Sequence, residues 1–169
     1  LTATIENVTS SGNAGDGLEV DAQGNDKDDP NQPMTGTVNT VTWNNNDFSN
    51  NGQNGASFRV RGDAQLIADG QGNVVNANTL NGIAIQTSEN ASFGDPTEGL
   101  PPGRRTVLDG TTAEGNGVDG IQIVATEDSR ALVEINSANW QSLLPYYADD
   151  YEYHDPIVDI YGFDTLVPF

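Results

Sequence analysis

The chain has 169 residues, with 25 Asp plus Glu against 6 Lys plus Arg, and a formal net charge of −19. This charge argues against nucleic acid and anionic membrane surfaces as partners, because both are negatively charged themselves. The absence of Cys excludes disulfides and thiol chemistry, and no run approaches the ~18 apolar residues of a membrane span. The chain opens at Leu1 without an initiator Met, so we expect a processed or excised product.

The first predicted elements are two short strands joined by a turn rich in Asn and Gly. Residues 2–5 alternate polar and apolar side chains, and residues 18–20 do so again after the turn. Alternation with a period of two buries one face of a strand. Strands this short are not stable alone, so they are expected to stack on similar copies of themselves.

The same arrangement recurs along the chain. Residues 5–20 and 108–123 align without a gap at an offset of 103, with five identical positions. Two further copies of a Gly–apolar–x–apolar signature lie between them, with successive glycines 38, 27 and 38 residues apart. The signature glycines are Gly17, Gly55, Gly82 and Gly120. Such a period predicts the coils of a parallel β-solenoid, whose single internal column would hold Leu18, Phe58, Ile83 and Ile121.

Two long insertions interrupt the repeat, at 21–36 and 86–104. Both follow the same predicted strand, so we expect them to leave the solenoid at the same corner, as surface loops or as a binding rim. The first insertion carries Asp26, Asp28 and Asp29. Clustered carboxylates suit Ca²⁺, the one cofactor that the sequence leaves open, with a solvated acidic loop as the alternative.

Between the insertions, Arg59 and Arg61 flank the inward Val60. The coil alignment places Arg59 beside Asp21, which predicts a simple lateral ion pair. If this surface binds a glycan or a partner, Tyr146 and Tyr147 from the end of the chain are expected to join its rim.

No complete catalytic set is found, so we expect a protein without enzymatic activity. Asp16 and Asp119 fall in one column, but Asn54 and Asn81 stand between them, and all four precede a signature glycine in a turn. Asp and Asn are favoured at such positions for backbone reasons, so we interpret the column as structural. His154 is the only histidine, which excludes a metal site built on several His.

Residues 137–169 differ in composition from the rest and hold eight of the twelve aromatic residues. A solenoid end exposes apolar core and an unpaired strand edge, so this segment is expected to form a C-terminal cap. The alternation in 157–163 allows a second interpretation, a strand offered to a neighbouring subunit.

The repeats at 13–20 (Asn-Ala-Gly-Asp-Gly-Leu-Glu-Val) and 116–123 (Asn-Gly-Val-Asp-Gly-Ile-Gln-Ile) resemble those of pectate-lyase-like proteins. They are similar in particular to the Asn- and Gly-rich repeats of large bacterial surface proteins. The resemblance covers residues 1–136 and implies an all-β, right-handed parallel β-helix of about four to five coils at the cell surface or outside the cell. It implies little about activity, because this fold carries enzymes, adhesins and structural proteins.

Two functional hypotheses follow. The first is a non-enzymatic structural or adhesive module that assembles end to end with copies of itself or with other parts of a larger surface protein. The alternative is a module that binds or degrades polysaccharide as a lyase or hydrolase. Neither hypothesis involves nucleic acid or membrane insertion.

Overall fold

A computed structural model describes residues 1–25, 38–95 and 105–136, together with the backbone of three later strands at 139–140, 143–147 and 157–161. The described residues are all-β and contain no α-helix. No helix in this part of the chain is long and apolar enough to cross a membrane. The strands are β1 (Thr2–Glu6), β2 (Leu18–Gln23), β3 (Val38–Asn44), β4 (Ala56–Arg61), β5 (Gln65–Gln71), β6 (Ile83–Thr87), β7 (Ser92–Phe93), β8 (Thr106–Asp109), β9 (Thr112–Ala113), β10 (Ile121–Ala125), β11 (Arg130–Asn136), β12 (Asn139–Trp140), β13 (Leu143–Tyr147) and β14 (Ile157–Tyr161).

The strands form two main sheets in which every pairing is parallel. The first sheet has the order β1-β3-β5-β7-β11-β14, with β8 beside β5 and β11, and the second has the order β13-β10-β6-β4-β2. The chain alternates between the two sheets, so we call one strand of the first sheet and the following strand of the second a tier. The short strands β9 and β12 pair with each other in a separate sheet. Each follows a strand of the first sheet and precedes a strand of the second along the chain. This alternation is compatible with a parallel β-helix or another solenoid.

The register of the second sheet corrects the predicted internal column. Leu18 pairs with Ala56, Ala56 with Ile83, and Ile83 with Ile121. Phe58 belongs instead to the neighbouring column, between Val20 and Ile85. The reason is that the signature glycine sets the register, and the small Ala56 is the first residue after Gly55.

The signature glycines allow the tiers to approach closely at the start of the second sheet. A Cβ atom on Gly17 would lie 2.7 Å from the carbonyl oxygen of Gly55, and one on Gly82 would lie 2.5 Å from that of Gly120. Real Cβ atoms do not make contacts this short. A side chain at these positions would therefore push the tiers apart, which explains why the signature begins with Gly.

The core lies between the two sheets and contains an aromatic cluster. The Trp43 ring stacks on Phe48 with a centroid distance of 6.4 Å, and it lies 5.3 Å from the tilted ring of Phe58. Phe58 in turn contacts Phe93 at 5.6 Å. The Trp43 Nε1–H donates a 3.0 Å hydrogen bond to the Ala68 carbonyl oxygen, so the one polar atom of the indole is satisfied.

The structure places the insertions differently from the prediction. β2 continues through Gln23, and β6 continues through Thr87, so both strands extend into ranges that the sequence assigned to insertions. The turn 88–91 then closes locally, and β7 pairs with the start of β5 before the chain leaves the sheet. The first insertion therefore follows the second sheet, whereas the second interrupts a strand of the first sheet, between β7 and β8.

Part of the segment predicted as a cap extends both sheets. The backbone of β13 pairs with β10, and that of β14 pairs with β11 of the same chain. The strand that sequence analysis considered for a neighbouring subunit thus has a partner within its own chain. The segment also contributes β12, which pairs with β9, and the rest of 137–169 lies outside the described residues.

Candidate functional site

The outward side of the second sheet carries the two arginines singled out in the sequence. Alternation along β4 points Arg59 and Arg61 outward, while Phe58 and Val60 are fully buried. We call this outward side of β2, β4, β6 and β10 the arginine face. It is the surface where the described residues combine cationic side chains with a groove.

The ion pairs on the arginine face run diagonally between strands. The register places Asp21 opposite Arg59, as predicted. The Arg61 Nη2 atom, however, lies 2.7 Å from Asp21 Oδ2, and the Arg59 Nη1 atom lies 3.8 Å from Glu19 Oε1. The predicted pair of Arg59 with Asp21 is therefore corrected, because each guanidinium reaches the carboxylate two positions back along β2. These side chains are partly exposed, so each pair stabilises the fold by only about 0–1 kcal/mol.

A shallow groove of about 220 Å³ lies beside these arginines. Its lining residues are Arg59, Arg61, Gln86, Thr87, Ser88, Val124 and Thr126. The Arg61 Nε atom is buried and has no hydrogen-bond partner. The described lining residues contribute hydroxyl, amide and guanidinium groups, which suit binding of a hydroxylated or anionic ligand.

The tyrosines predicted for the rim border this groove through their backbone. Tyr146 is the register partner of the groove residue Val124, and Tyr147 is the partner of Ala125. The structure therefore places the backbone of β13 next to β10, and the grouping of the two tyrosine side chains with the arginines stays a prediction.

The predicted calcium ligands Asp26, Asp28 and Asp29 lie outside the described residues. Among the residues that are described, no group of three or more His, Cys, Asp or Glu side chains could hold a metal ion. The calcium site stays a prediction.

The column that begins at Asp16 is a hydrogen-bonded ladder, as the sequence alignment indicated. The Asn54 N–H and Nδ2 groups donate to Asp16 Oδ1 at 2.7 and 3.0 Å. Asn81 donates in the same way to Asn54 Oδ1, at 3.2 and 2.9 Å, and the Asp119 N–H donates to Asn81 Oδ1 at 3.2 Å. An inner position needs a donor and an acceptor in one side chain, which Asn provides and Asp does not. This explains why Asp occurs only at the two ends.

A second ladder runs through Asn13, Asn51, Asn78 and Asn116, and sequence analysis did not identify it as a unit. Its bonds point the opposite way along the stack: the Asn13 N–H and Nδ2 donate to Asn51 Oδ1 at 3.2 and 3.0 Å. The Asn51 N–H donates to Asn78 Oδ1, and Asn78 donates twice to Asn116 Oδ1 at 3.0 and 3.1 Å. The signal was available, since Asn13 and Asn116 are identical positions of the aligned repeats.

Two positions of these turns have left-handed backbone in each of four successive tiers, and each set of four residues forms a column. Asn7, Asn45, Gly72 and Gly110 all have φ between 53° and 62°. Gly12, Asn50, Ala77 and Gly115 form the other column, with φ between 54° and 72°. Gly and Asn tolerate this conformation, whereas Ala77 is strained in it.

The first tier forms an edge of the stack, and its apolar side chains are only partly covered. β1 and β2 each have a neighbour on one side only among the described residues. Four inward side chains of this tier pack against the core but stay only partly buried, whereas Ala22 is buried; the four are Ala3, Ile5, Leu18 and Val20. Outward-pointing N–H and C=O groups alternate along such a strand, so the edge presents unpaired backbone groups as well as apolar side chains.

Comparison with protein families, with curated proteins and with solved structures finds no match for this chain. Interpretation of these surfaces therefore depends on their geometry and chemistry.

Proposed function

We propose that this chain is a right-handed parallel β-helix segment of an extracellular or cell-surface protein, and that it acts as a structural or adhesive module by end-to-end stacking. The observation that carries the proposal is the edge of the first tier. Its half-buried side chains and unpaired backbone groups are the complement of another tier of the same kind.

Three features of the edge support stacking. Ile5 and Val20 would gain burial from a further tier, which stabilises an interface by roughly 25 cal/mol per Å² of apolar surface covered. The backbone groups of Thr4 and Glu19 point away from the second tier, by the alternation of a parallel ladder. In the ladder that starts at Asn13, the Oδ1 atom of each later Asn accepts hydrogen bonds from the tier before it. Asn13 Oδ1 therefore offers the same acceptor to an incoming tier.

Proline substitutions at the edge test this proposal. Pro cannot donate a ladder hydrogen bond, and it is tolerated where the N–H faces away from the existing sheet. The variant Thr4→Pro/Glu19→Pro should therefore keep the fold and lose the ability to accept strands on β1 and β2. The matched control is Thr4→Ala/Glu19→Ala, which removes the same side chains and keeps both N–H groups.

Sedimentation velocity over a wide concentration range gives the readout. Because the 169-residue chain is used alone, any tier stacked on the edge must come from another copy. We expect concentration-dependent association of the parent chain and the Ala control, and a monomer for the Pro variant. A parent chain that stays monomeric at every concentration, or a Pro variant that associates equally well, would contradict end-to-end stacking.

The groove on the arginine face favours a second candidate function, binding of a polysaccharide. Hydroxyl and amide groups with two guanidiniums in one groove are suited to sugar hydroxyls and to acidic substituents. The double variant Arg59→Gln/Arg61→Gln should weaken binding of acidic oligosaccharides about tenfold or more in calorimetric titrations. Arg130→Gln changes an exposed arginine of the other sheet and serves as the control. Equal affinities for all three proteins, or no binding by any, would remove this candidate, and release of unsaturated or reducing sugars would show cleavage.

A further inference from the structure

The four Asn-Gly pairs of the sequence all lie in the turns that carry the two ladders. They are Asn51-Gly52, Asn54-Gly55, Asn81-Gly82 and Asn116-Gly117. Asn-Gly is a chemically labile pair, because a glycine without Cβ lets its backbone nitrogen reach the preceding side-chain amide. In that reaction the Gly nitrogen bonds to the Asn Cγ, the Cγ–Nδ2 bond breaks, and the displaced nitrogen leaves as ammonia with the proton of the Gly N–H. Water then opens the cyclic imide to aspartate or isoaspartate.

In this structure, every attacking nitrogen is engaged with a neighbouring tier. The Gly52 N–H donates to the Asn13 carbonyl oxygen at 2.7 Å, and the Gly55 N–H donates to that of Asn81 at 3.0 Å. The Gly82 N–H donates to the Asp119 carbonyl oxygen and the Gly117 N–H donates to that of Asn78, both at 2.9 Å. Attack requires this nitrogen to lose its proton and turn towards its own side chain, and both steps break the bond between tiers.

Every amide that would be attacked is held as well. Asn51 Oδ1 accepts two hydrogen bonds from Asn13 in the tier before, and Asn54 Oδ1 accepts two from Asn81 in the tier after. Asn116 Oδ1 accepts two from Asn78, and Asn81 Oδ1 accepts one from the Asp119 N–H. Three of these side chains are nearly inaccessible to water, with exposed fractions of 1% for Asn51, 6% for Asn81 and 4% for Asn116.

We infer that the two ladders shield all four Asn-Gly pairs from deamidation, and that unfolding exposes them to a reaction that prevents refolding. A carboxylate formed at Asn51 or Asn81 has lost its Nδ2 donor and faces the oxygen that the amide had bonded, which is the Ser10 carbonyl oxygen or Asn54 Oδ1. It is also buried without a cation among its ladder partners, so the modified rung opposes stacking. The ladders thus protect the chain only while it is folded. A molecule that stays unfolded long enough to be modified is unable to refold.

The experiment compares the folded chain with a synthetic peptide of residues 49–57, which contains two of the four pairs and none of the neighbouring tiers. Both are incubated in one tube at mildly alkaline pH in heavy-oxygen water, and peptide mapping follows the labelled carboxylate at each site. We expect each site in the folded chain to react at least about a hundredfold more slowly than in the peptide, because the ladders open only in a minor population. Equal rates in chain and peptide would overturn the inference.

A single substitution separates shielding by a rung from the general effect of folding. Asn13→Ala removes the Nδ2 donor to Asn51 Oδ1 at an exposed position and leaves the other rungs intact. Deamidation should accelerate several-fold at Asn51 alone, with Asn81 and Asn116 of the same molecule as internal references. An unchanged rate at Asn51, or an equal rise at all sites, would show that the rung is not the shield.

Refolding tests the second half of the inference. Chain held in guanidinium chloride for increasing times should lose refolding yield in proportion to the modified fraction at the inner rungs Asn51 and Asn81. Full recovery of the folded state by fully modified chain would overturn the claim that modified rungs prevent refolding.

Discussion

The two corners of each tier differ in whether their length is constant. We call the segments from the first sheet to the second the ladder turns; each has eleven residues, and they are 7–17, 45–55, 72–82 and 110–120. The return turns lead back from the second sheet to the first and have three or four residues; they are 62–64, 88–91 and 126–129. Between β2 and β3 the corresponding interval, 24–37, has fourteen residues, of which 26–37 lie outside the described part of the chain. One corner of the fold is thus constant in length, and the other is not.

Their hydrogen bonds explain the difference. A ladder turn is bonded mainly to the turns above and below it, through side chains such as Asn54 and Asn78, so one additional residue would shift every later rung. A return turn also closes on itself: the Ala91 N–H donates to the Ser88 carbonyl oxygen, and the Ser129 N–H donates to that of Thr126, both at 3.2 Å. Length is constant where bonds between tiers depend on it, and it varies at the corner whose described turns also close locally.

The largest expected effect is that of a Gly-Ser insertion. Placed after Gly115, it displaces Asn116 and Asp119 from their rungs and should cost about 3–5 kcal/mol of the free energy of unfolding. Placed after Asp128, in a return turn, the same insertion breaks only the local hydrogen bonds between Thr126 and Ser129 and should cost less, about 1–2 kcal/mol. Denaturant titration followed by Trp fluorescence measures both. Similar costs at the two sites would remove the distinction between the corners.

A charge substitution gives the next largest effect. Asn78→Asp removes the Nδ2 donor to Asn116 and places a carboxylate at a position that is 2% exposed, so it should cost about 3 kcal/mol or more. Asn90→Asp makes the same change of charge at an exposed return-turn residue and should stay within about 0.5 kcal/mol of the parent. Thermal and denaturant unfolding of both variants checks this. A mild effect of Asn78→Asp would mean that the rungs contribute little to stability.

The smallest effect has the opposite sign. Ala77 is held at φ 54° in a column otherwise occupied by Gly and Asn. Ala77→Gly should raise the free energy of unfolding by about 0.5–1 kcal/mol, because relief of the left-handed strain exceeds the entropy cost of Gly. Ala84→Gly, within β6, should lower it by about the same amount. Destabilisation by both substitutions would show that Ala77 is not strained.

The sequence allowed the ladder turns to be placed more accurately than the return turns. The signature glycines and the Asp16 column follow directly from the aligned repeats, because each position has the same contact in every tier. Phe58 was assigned to the wrong column because Ala56, its small neighbour, contributes little to a hydrophobic pattern. The pairing of Arg61 with Asp21 could not be read from register alone, since long side chains reach across two positions.

The second insertion was the least predictable feature. Residues 88–93 form a turn and a two-residue strand with almost no alternation, so nothing in their sequence separates them from the residues that follow. Their place in the first sheet depends on pairing with β5 and β11, which are distant in sequence. Such long-range pairing depends on the packing of all the tiers, so the local sequence does not predict it.

The central claim, that tiers stack in parallel and in register at the signature glycines, has a direct measurement. Hydrogen bonds from the N–H groups of Leu18, Ala56 and Ile83 to the carbonyl oxygens of Gly55, Gly82 and Gly120 are each 2.9 Å long. NMR scalar couplings across hydrogen bonds should connect these three pairs of amide nitrogen and carbonyl carbon. Couplings from the same amides to any other carbonyl carbons would contradict the stacked arrangement.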